Sequence, residues 1–441
     1  MLLVYTAEIT ERKKYIFKFI FSDLFQIAYT LTDQKDVFTN YSGPCINYST
    51  ERIHHAFFIF EEALLTQKAY HANEKPAVGI WNANPVIYFQ QDKSDIPFDI
   101  FAASFYLMSR YEEYSPLNKD AHGRFKPEAS IAFQENFLQK PIVNIWANAF
   151  STVLCEKFPE LQIQKRPFDY ISTFDIDSYW AYRGKSLIKT LGGYFKSILH
   201  GRIKECVDRT YVLLGQKKDP FDTFELQSSW EKEFHIKHMY FFHLGDPGKN
   251  DRIIASENQI DIQEKIQNLS QTHKTGIHPS YQSNVSKEQF RKEFGRYQKY
   301  TGKAPQVSRQ HFLKMNVPET YRQLSVFGIQ EDYTMGYAQK CGFRAGVAIP
   351  FRFYDLEKEI ETPLLIYPFA IMDGTLKDYM KISPEKAEQT IIELMNEVKA
   401  SGGVFISILH NHTIHDEGEW KGWKKVFETM FFHGTNKPLH V

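Results

Sequence analysis

Two carboxylates separated by one isoleucine close an apolar run in YISTFDIDSYW, Tyr170 to Trp180. Residues two apart on a strand point the same way. Asp175 and Asp177 therefore share a face, while Phe174 and Ile176 take the other. Like charges held this close repel, and one pKa rises unless a cation or an arginine lies between them. A divalent ion is the natural remedy, with one aspartate as ligand and the other free to take a proton. A solvated strand end is the simpler alternative.

Further groups suited to metal binding or proton transfer follow at the ends of extended segments. HKTGIHPS supplies His278, and the proline after it forbids helix continuation. VSRQHFL supplies Arg309, with His311 two residues on, and ILHNHTIH supplies His410 directly after an apolar run. A single histidine is more often packed or solvated than catalytic. Here an Asp pair, a His, an Arg and a His follow in order, each closing a strand-like segment.

The elements that must hold these residues alternate. KHMYFFHLG reads as a short aromatic strand, and IDIQEKIQNLSQTH as a helix leading to the His278 segment. Ser383-Pro384-Glu385 is a helix start, with Ala387, Ile391, Leu394, Met395 and Val398 as its apolar stripe and Gly402-Gly403 as its stop. VFISIL follows at once and ends at His410. Helix, short loop, buried strand, polar residue is the pattern of a parallel α/β sheet or barrel, where functional groups sit at carboxyl ends of strands.

At 441 residues the chain predicts two domains. The polar, proline-containing FPELQIQKRPFDY marks the boundary, giving a smaller mixed α/β domain over residues 1–165 and a second over 166–441. In the first, AVGIWNANPVIYF reads as extended and Asp95 to Tyr114 as an amphipathic helix. SRYEEY and DAHGRF read as exposed polar stretches, and no function is legible in this half.

Composition narrows the class. Lys and Arg number 53 against 53 Asp and Glu, which argues against nucleic acid or an anionic membrane as the main partner. The opening MLLVYTAEITERKKYIFKF lacks a basic start, a continuous apolar core and a small-residue cleavage site. No run approaches a membrane span. The four cysteines are far apart and read as free thiols, so a cytoplasmic protein is expected.

These motifs, from about Pro167 to Trp423, resemble the polysaccharide deacetylase family, carbohydrate esterase family four (NodB homology). TFDID is similar to its first motif with one residue inserted between the aspartates, HKTGIHPS to the histidine motif, SRQHFL to the arginine motif and SILHNH to the last. EDYTMGYAQKCGFRAG occupies the place of the fourth, with Asp332 as its acid. The resemblance implies an irregular (β/α) barrel after the smaller α/β domain, as in a bacterial subgroup with an uncharacterised N-terminal domain. It implies Asp175 as base, Arg309 as the residue that orients it, His410 as general acid, and Asp177 and His278 as ligands of a divalent ion of the zinc type. The implied reaction is removal of N-acetyl groups from an amino sugar in a polysaccharide or glycoconjugate. One departure stands out: the family pairs its metal histidines four residues apart, and that place is Gln282. Gln282, a water, or another residue such as His311 would complete the shell. His273, five residues before His278, reads as structural. Tyr179, Trp180 and Tyr281 offer flat faces for a sugar ring, or simple packing. Two other readings compete: a deacetylase-like sugar-binding or assembly module without strong catalysis, favoured by Gln282, and a glycosyltransferase using the Asp-x-Asp pair for a nucleotide sugar. The last gives His278 and His410 no task.

Overall fold

The computed structural model describes residues 1–53, 55–72, 74–251 and 260–435. Positions 54 and 73 of the expected first domain, and 252–259 and 436–441 of the second, lie outside the described residues. The chain forms two compact units: Met1–Tyr170 with Leu313–Ile371 and Ile392–Ile406, and Ile171–Phe312 with Met372–Ile391 and Ser407–Val441.

The first unit contains a four-stranded parallel sheet in the order Tyr29–Thr32, Leu2–Tyr5, Cys45–Ser49, Phe57–Phe60. Leu2–Tyr5 and Cys45–Ser49 are buried along their whole length, as expected of parallel strands covered on both faces. The stretch AVGIWNANPVIYF forms an antiparallel hairpin, Val78–Trp81 against Asn84–Ile87. Its turn places Asn82 and Ala83 at φ 47° and 59°, the twist that two-residue hairpin loops require. The helix expected over Asp95 to Tyr114 is shorter, Ile100–Met108, and every residue of it is buried. Asp99 caps it by accepting from the Phe101 and Ala102 amides. A helix enclosed on all sides does not need the polar face that periodicity predicted.

SRYEEY is not the exposed stretch that its polarity suggested. Arg110 and Glu113 are 1% and 4% exposed. Glu113 accepts from Arg110 Nε at 2.8 Å and from Arg344 Nε and Nη2 at 2.8 and 2.5 Å. Two guanidiniums outweigh the burial that would raise this carboxyl, and hold it down at about 2.

The second unit carries a parallel-rich sheet. Phe168–Ile176 pairs in parallel with Met239–His243, which pairs in parallel with Thr275–His278, and that with Val307–Ser308. On the other side of Phe168–Ile176 the order continues through Gly403–His410 to Ile371–Met372. Phe174 and Ile176 are fully buried, so the alternation leaves Asp175 and Asp177 on the other face. Gly276 is needed where it stands. A Cβ there would lie 2.8 Å from the Phe241 ring and 2.8 Å from the Val307 carbonyl, on the two neighbouring strands. Helices Phe224–Phe234, Ile260–Thr272, Lys287–Thr301 and Trp423–Thr435 also belong to this unit. Ser286 caps the third by accepting from Gln289, and Gly302 at φ 73° ends it. Helix Pro384–Ser401 runs as expected, with its five stripe residues buried. Among the described residues no helix is long and apolar enough to cross a membrane.

Candidate active site

Parallel pairing brings strand carboxyl ends together, and with them the chemistry. His243 and His278 are register partners on adjacent strands. Past Val307–Ser308 the chain still follows its neighbour: Arg309 N–H donates to the Ile277 carbonyl and His311 N–H to the Pro279 carbonyl, at 3.1 and 3.0 Å. This extended continuation puts Arg309 and His311, two apart, on one face. Phe312 then turns the chain at φ 59°, a conformation costing a non-glycine residue roughly 1–2 kcal/mol.

Asp175 is 2% exposed, and its Oδ1 accepts from Arg309 Nη1 at 2.7 Å. The same nitrogen donates to Thr173 Oγ1 at 2.7 Å, and Thr173 donates onward to the Ser407 carbonyl at 2.6 Å. The Arg309 guanidinium lies 4.2 Å over the Phe241 ring. One carboxylate oxygen is thus fixed, and the other, Oδ2, faces His278 Nε2 at 3.7 Å.

Asp177 is the hub. Its Oδ1 lies 3.2 Å from His278 Nε2, and its Oδ2 lies 3.7 Å from His311 Nε2 and 3.6 Å from His410 Nε2. The other nitrogen of each ring is engaged. His278 Nδ1 meets the Arg309 carbonyl at 2.6 Å, His311 Nδ1 meets Asp251 Oδ1 at 2.8 Å, and His410 Nδ1 meets Asp373 Oδ1 at 2.7 Å. Those oxygens only accept, so each Nδ1 carries the hydrogen. In a neutral ring Nε2 is then a bare lone pair, and three of them face one carboxylate. That arrangement repels itself unless protons or a cation intervene.

Both remedies suit these residues. In the protein alone, burial opposes charge on the rings, but Asp177 and Asp251 raise His311 to about 9, and Asp373 and Asp177 raise His410 to about 10. Burial would likewise raise Asp177, yet His311 and His410 hold it well below the usual carboxylate range. The second remedy is a metal ion. Asp177, His278 and His311 offer donor atoms within 4.8 Å of one another, and Asp177 Oδ1 is buried without a hydrogen bond among the described residues. One carboxylate and two imidazoles, each ring with an oxygen behind it, fit a divalent ion of the zinc or transition type.

His243, Asp251 and His311 also lie within 4.8 Å. Asp251 Oδ1 is already taken by the Tyr281 amide at 2.9 Å and by His311, which suits an outer partner better than a ligand. His243 donates from Nδ1 to the His278 carbonyl at 3.0 Å. Burial, reinforced by His311 and His278, lowers it to about 3, so this ring is neutral.

The expected residues meet this geometry unequally. Asp175, Asp177, His278, Arg309 and His410 converge. Gln282 is exposed, in a turn where its carbonyl accepts from Val285 and Ser286, and the third imidazole in the cluster is His311. His273 pairs with Glu231 at 3.0 Å. Asp332 belongs to the first unit, and its carboxylate accepts from the Thr334 amide and hydroxyl at 2.9 and 2.8 Å. Tyr179 and Trp180 are 1% and 7% exposed, which is packing, whereas half-buried Tyr281 meets Phe312 edge-on at 5.6 Å. Sequence reasoning missed Asp251, Asp373 and His243. His243 and Asp373 carried the same signal as the rest, a polar residue closing an apolar run. Asp251 carried none.

Comparison with known proteins gives little beyond this. The model of a family of unknown function, DUF7033, matches residues 2–159. None of the curated proteins matches the chain significantly. A crystal structure of a candidate polysaccharide deacetylase from Mycobacterium smegmatis is similar over 61% of this chain and 84% of its own, with 16% identity and a TM-score of 0.40. Likeness at that level leaves the chemistry to be argued from the residues.

Proposed function

We propose that the second unit is a metal-dependent carbohydrate N-deacetylase, built on an irregular (β/α) barrel and acting on an N-acetylated amino sugar. The observation that carries this reading is one cluster holding both a fixed ion pair, Asp175–Arg309, and a separate three-donor set, Asp177–His278–His311. A divalent ion held by that set would supply positive charge to polarise the acetamide carbonyl and to acidify a water. Asp175 takes a proton on Oδ2 while Arg309, itself held by Thr173, keeps Oδ1 still. His410, kept charged and aimed by Asp373, donates from Nε2 to the departing amine nitrogen. The proton Asp175 gains and the proton His410 loses balance the cleavage of one amide to an acid and an amine. The domain division near residue 165 and a cytoplasmic setting belong to the same proposal.

In a glycosyltransferase His278 and His410 would have no role, yet here both crowd Asp177. A deacetylase-like binding module remains the second reading, favoured by the exposed Gln282. Metal analysis of the purified chain, paired with acetate release from N-acetylated oligosaccharides, separates these. The enzyme should hold about one divalent ion per chain and release acetate. Asp175→Asn should stop release and keep the metal. Oligosaccharide binding without acetate, whatever divalent ion is added, would establish the module instead.

A further inference from the structure

Between the Asp177 strand end and Asp219 the chain forms a helical hairpin packed inside out. Its helices are Leu187–Leu199 and Ile203–Leu213. At helical periodicity Leu187, Ile188, Leu191, Phe195, Ile198 and Leu199 form one stripe, and each is at least 58% exposed. The small and polar face is the one that packs. Ser197 is buried and donates to Glu205 at 2.9 Å, and a side chain on Gly193 would collide with the Arg209 guanidinium. Ile203 and Val207 extend the apolar face onto the second helix, and Leu214 continues it just past the helix end; Arg209 and Val212 are the buried residues of this helix. Eleven of the twenty-one large hydrophobic residues exposed among the described residues lie between 187 and 214. Scattered exposed hydrophobics are ordinary, but a concentrated face marks a binding surface.

Charge identifies what covers it. The whole chain is neutral, yet residues 183–218 carry nine Lys and Arg against two acids, Glu205 and Asp208. Some are paired, as Arg202 with Glu205 and Lys217 with Asp208. Lys189 and Lys196, beside the stripe, are exposed and make no ion pair among the described residues. A second copy docking on this face would set two basic rims against each other, and nucleic acid would leave the apolar stripe wet. Helices of 13 and 11 residues are too short to span a bilayer, which takes about 20.

We propose that this hairpin docks on an anionic membrane surface, its apolar stripe in the acyl boundary and its lysines among the lipid headgroups. The hairpin is anchored beside the site. Asp219 accepts from the Ala181 and Tyr182 amides at 2.7 and 2.9 Å, and Asn411, next to His410, donates to the Ser178 and Phe221 carbonyls at 2.8 and 3.0 Å. Docking would therefore hold the rim that carries Asp177 and His410 near the bilayer, whatever reaction occurs there.

The test is cosedimentation of the purified full chain with vesicles of equal parts phosphatidylcholine and phosphatidylglycerol, with pure phosphatidylcholine vesicles alongside and sedimentation velocity without lipid. Anionic vesicles should carry the protein down, and neutral ones far less. Leu191→Glu with Phe195→Glu should weaken binding about tenfold or more, as should Lys189→Glu with Lys196→Glu, the latter with a reduced salt dependence. All four residues are exposed, so melting temperatures should not move. Absence of binding to anionic vesicles, or unchanged binding by the Leu191→Glu, Phe195→Glu variant, would overturn the proposal. So would a lipid-free dimer that this variant dissolves.

Discussion

The competition between His311 and Gln282 for the third place in the donor set can be settled by three substitutions. His311→Gln removes an imidazole whose Nε2 lies 3.7 Å from Asp177 Oδ2. Asp251→Asn keeps the side chain's shape and an oxygen for the Tyr281 amide, but removes the charge 2.8 Å behind His311 Nδ1. Gln282→Ala removes an exposed side chain whose residue is held through its backbone carbonyl. Loss of an outer partner of a metal histidine costs about 10–100-fold in affinity, or ~1.4–2.8 kcal/mol. Asp251→Asn should fall in that range, and His311→Gln, which loses the ligand itself, should exceed it. Gln282→Ala should stay within about twofold, since no ligand atom or outer partner changes. Competition against a chromophoric chelator reads the affinities, and melting in excess chelator confirms that each variant folds. If Gln282→Ala weakens metal binding as much as His311→Gln, or Asp251→Asn leaves it intact, the donor set is misassigned.

Three further outcomes follow from other parts of the chain. Asp373 is fully buried and receives the His410 amide, His410 Nδ1 and the Thr413 hydroxyl at 2.7, 2.7 and 2.6 Å. Asp373→Asn should lower acetate release about 10²-fold with metal content unchanged, and undiminished release would remove His410 as the acid. Glu113, held below its ordinary 4.5 at about 2, stabilises the fold above pH 4.5, and that contribution is lost as pH falls through about 2. It amounts to ~3 kcal/mol, so urea titrations of wild type should weaken along that window, and Glu113→Gln should flatten the dependence while lowering stability at neutral pH. Gly276→Ala should cost about 1–3 kcal/mol and disturb metal binding, because the new methyl must push apart the strands that carry His278 and Arg309. A variant as stable as wild type in thermal melts would show that the sheet absorbs the methyl.

What could be read from the sequence was what a strand end makes local. Asp175, His278, Arg309 and His410 each follow an apolar run, and parallel pairing alone brings such ends together. Asp373 closes a run too, but its strand is only Ile371–Met372, too short for an alternating pattern to register. Asp251 reaches His311 across 60 residues from an irregular loop, and no spacing rule encodes that contact. The pairing of Glu113 with Arg344, 231 residues apart, is hidden for the same reason: a charge reads as solvated until the fold supplies its partner. The linear boundary near 165 is a statement about chain order, whereas the first compact unit also takes in Leu313–Ile371 and Ile392–Ile406.

The same distinction between local and summed quantities explains the membrane surface. A net charge of zero speaks for the chain as a whole, and it spoke against an anionic partner. Binding at an interface depends instead on charge within a Debye length, about 8–10 Å at physiological salt. The basic excess of residues 183–218 is offset by acids elsewhere in the sequence, and two of its exposed lysines lie beside the apolar stripe with no acid among the described residues paired to them. The apolar stripe was equally invisible, since helical periodicity reports that a face exists and not whether it turns inward. Only the placement of Ser197 and Arg209 inside, with Leu191 and Phe195 outside, distinguishes a membrane-facing hairpin from an ordinary pair of core helices.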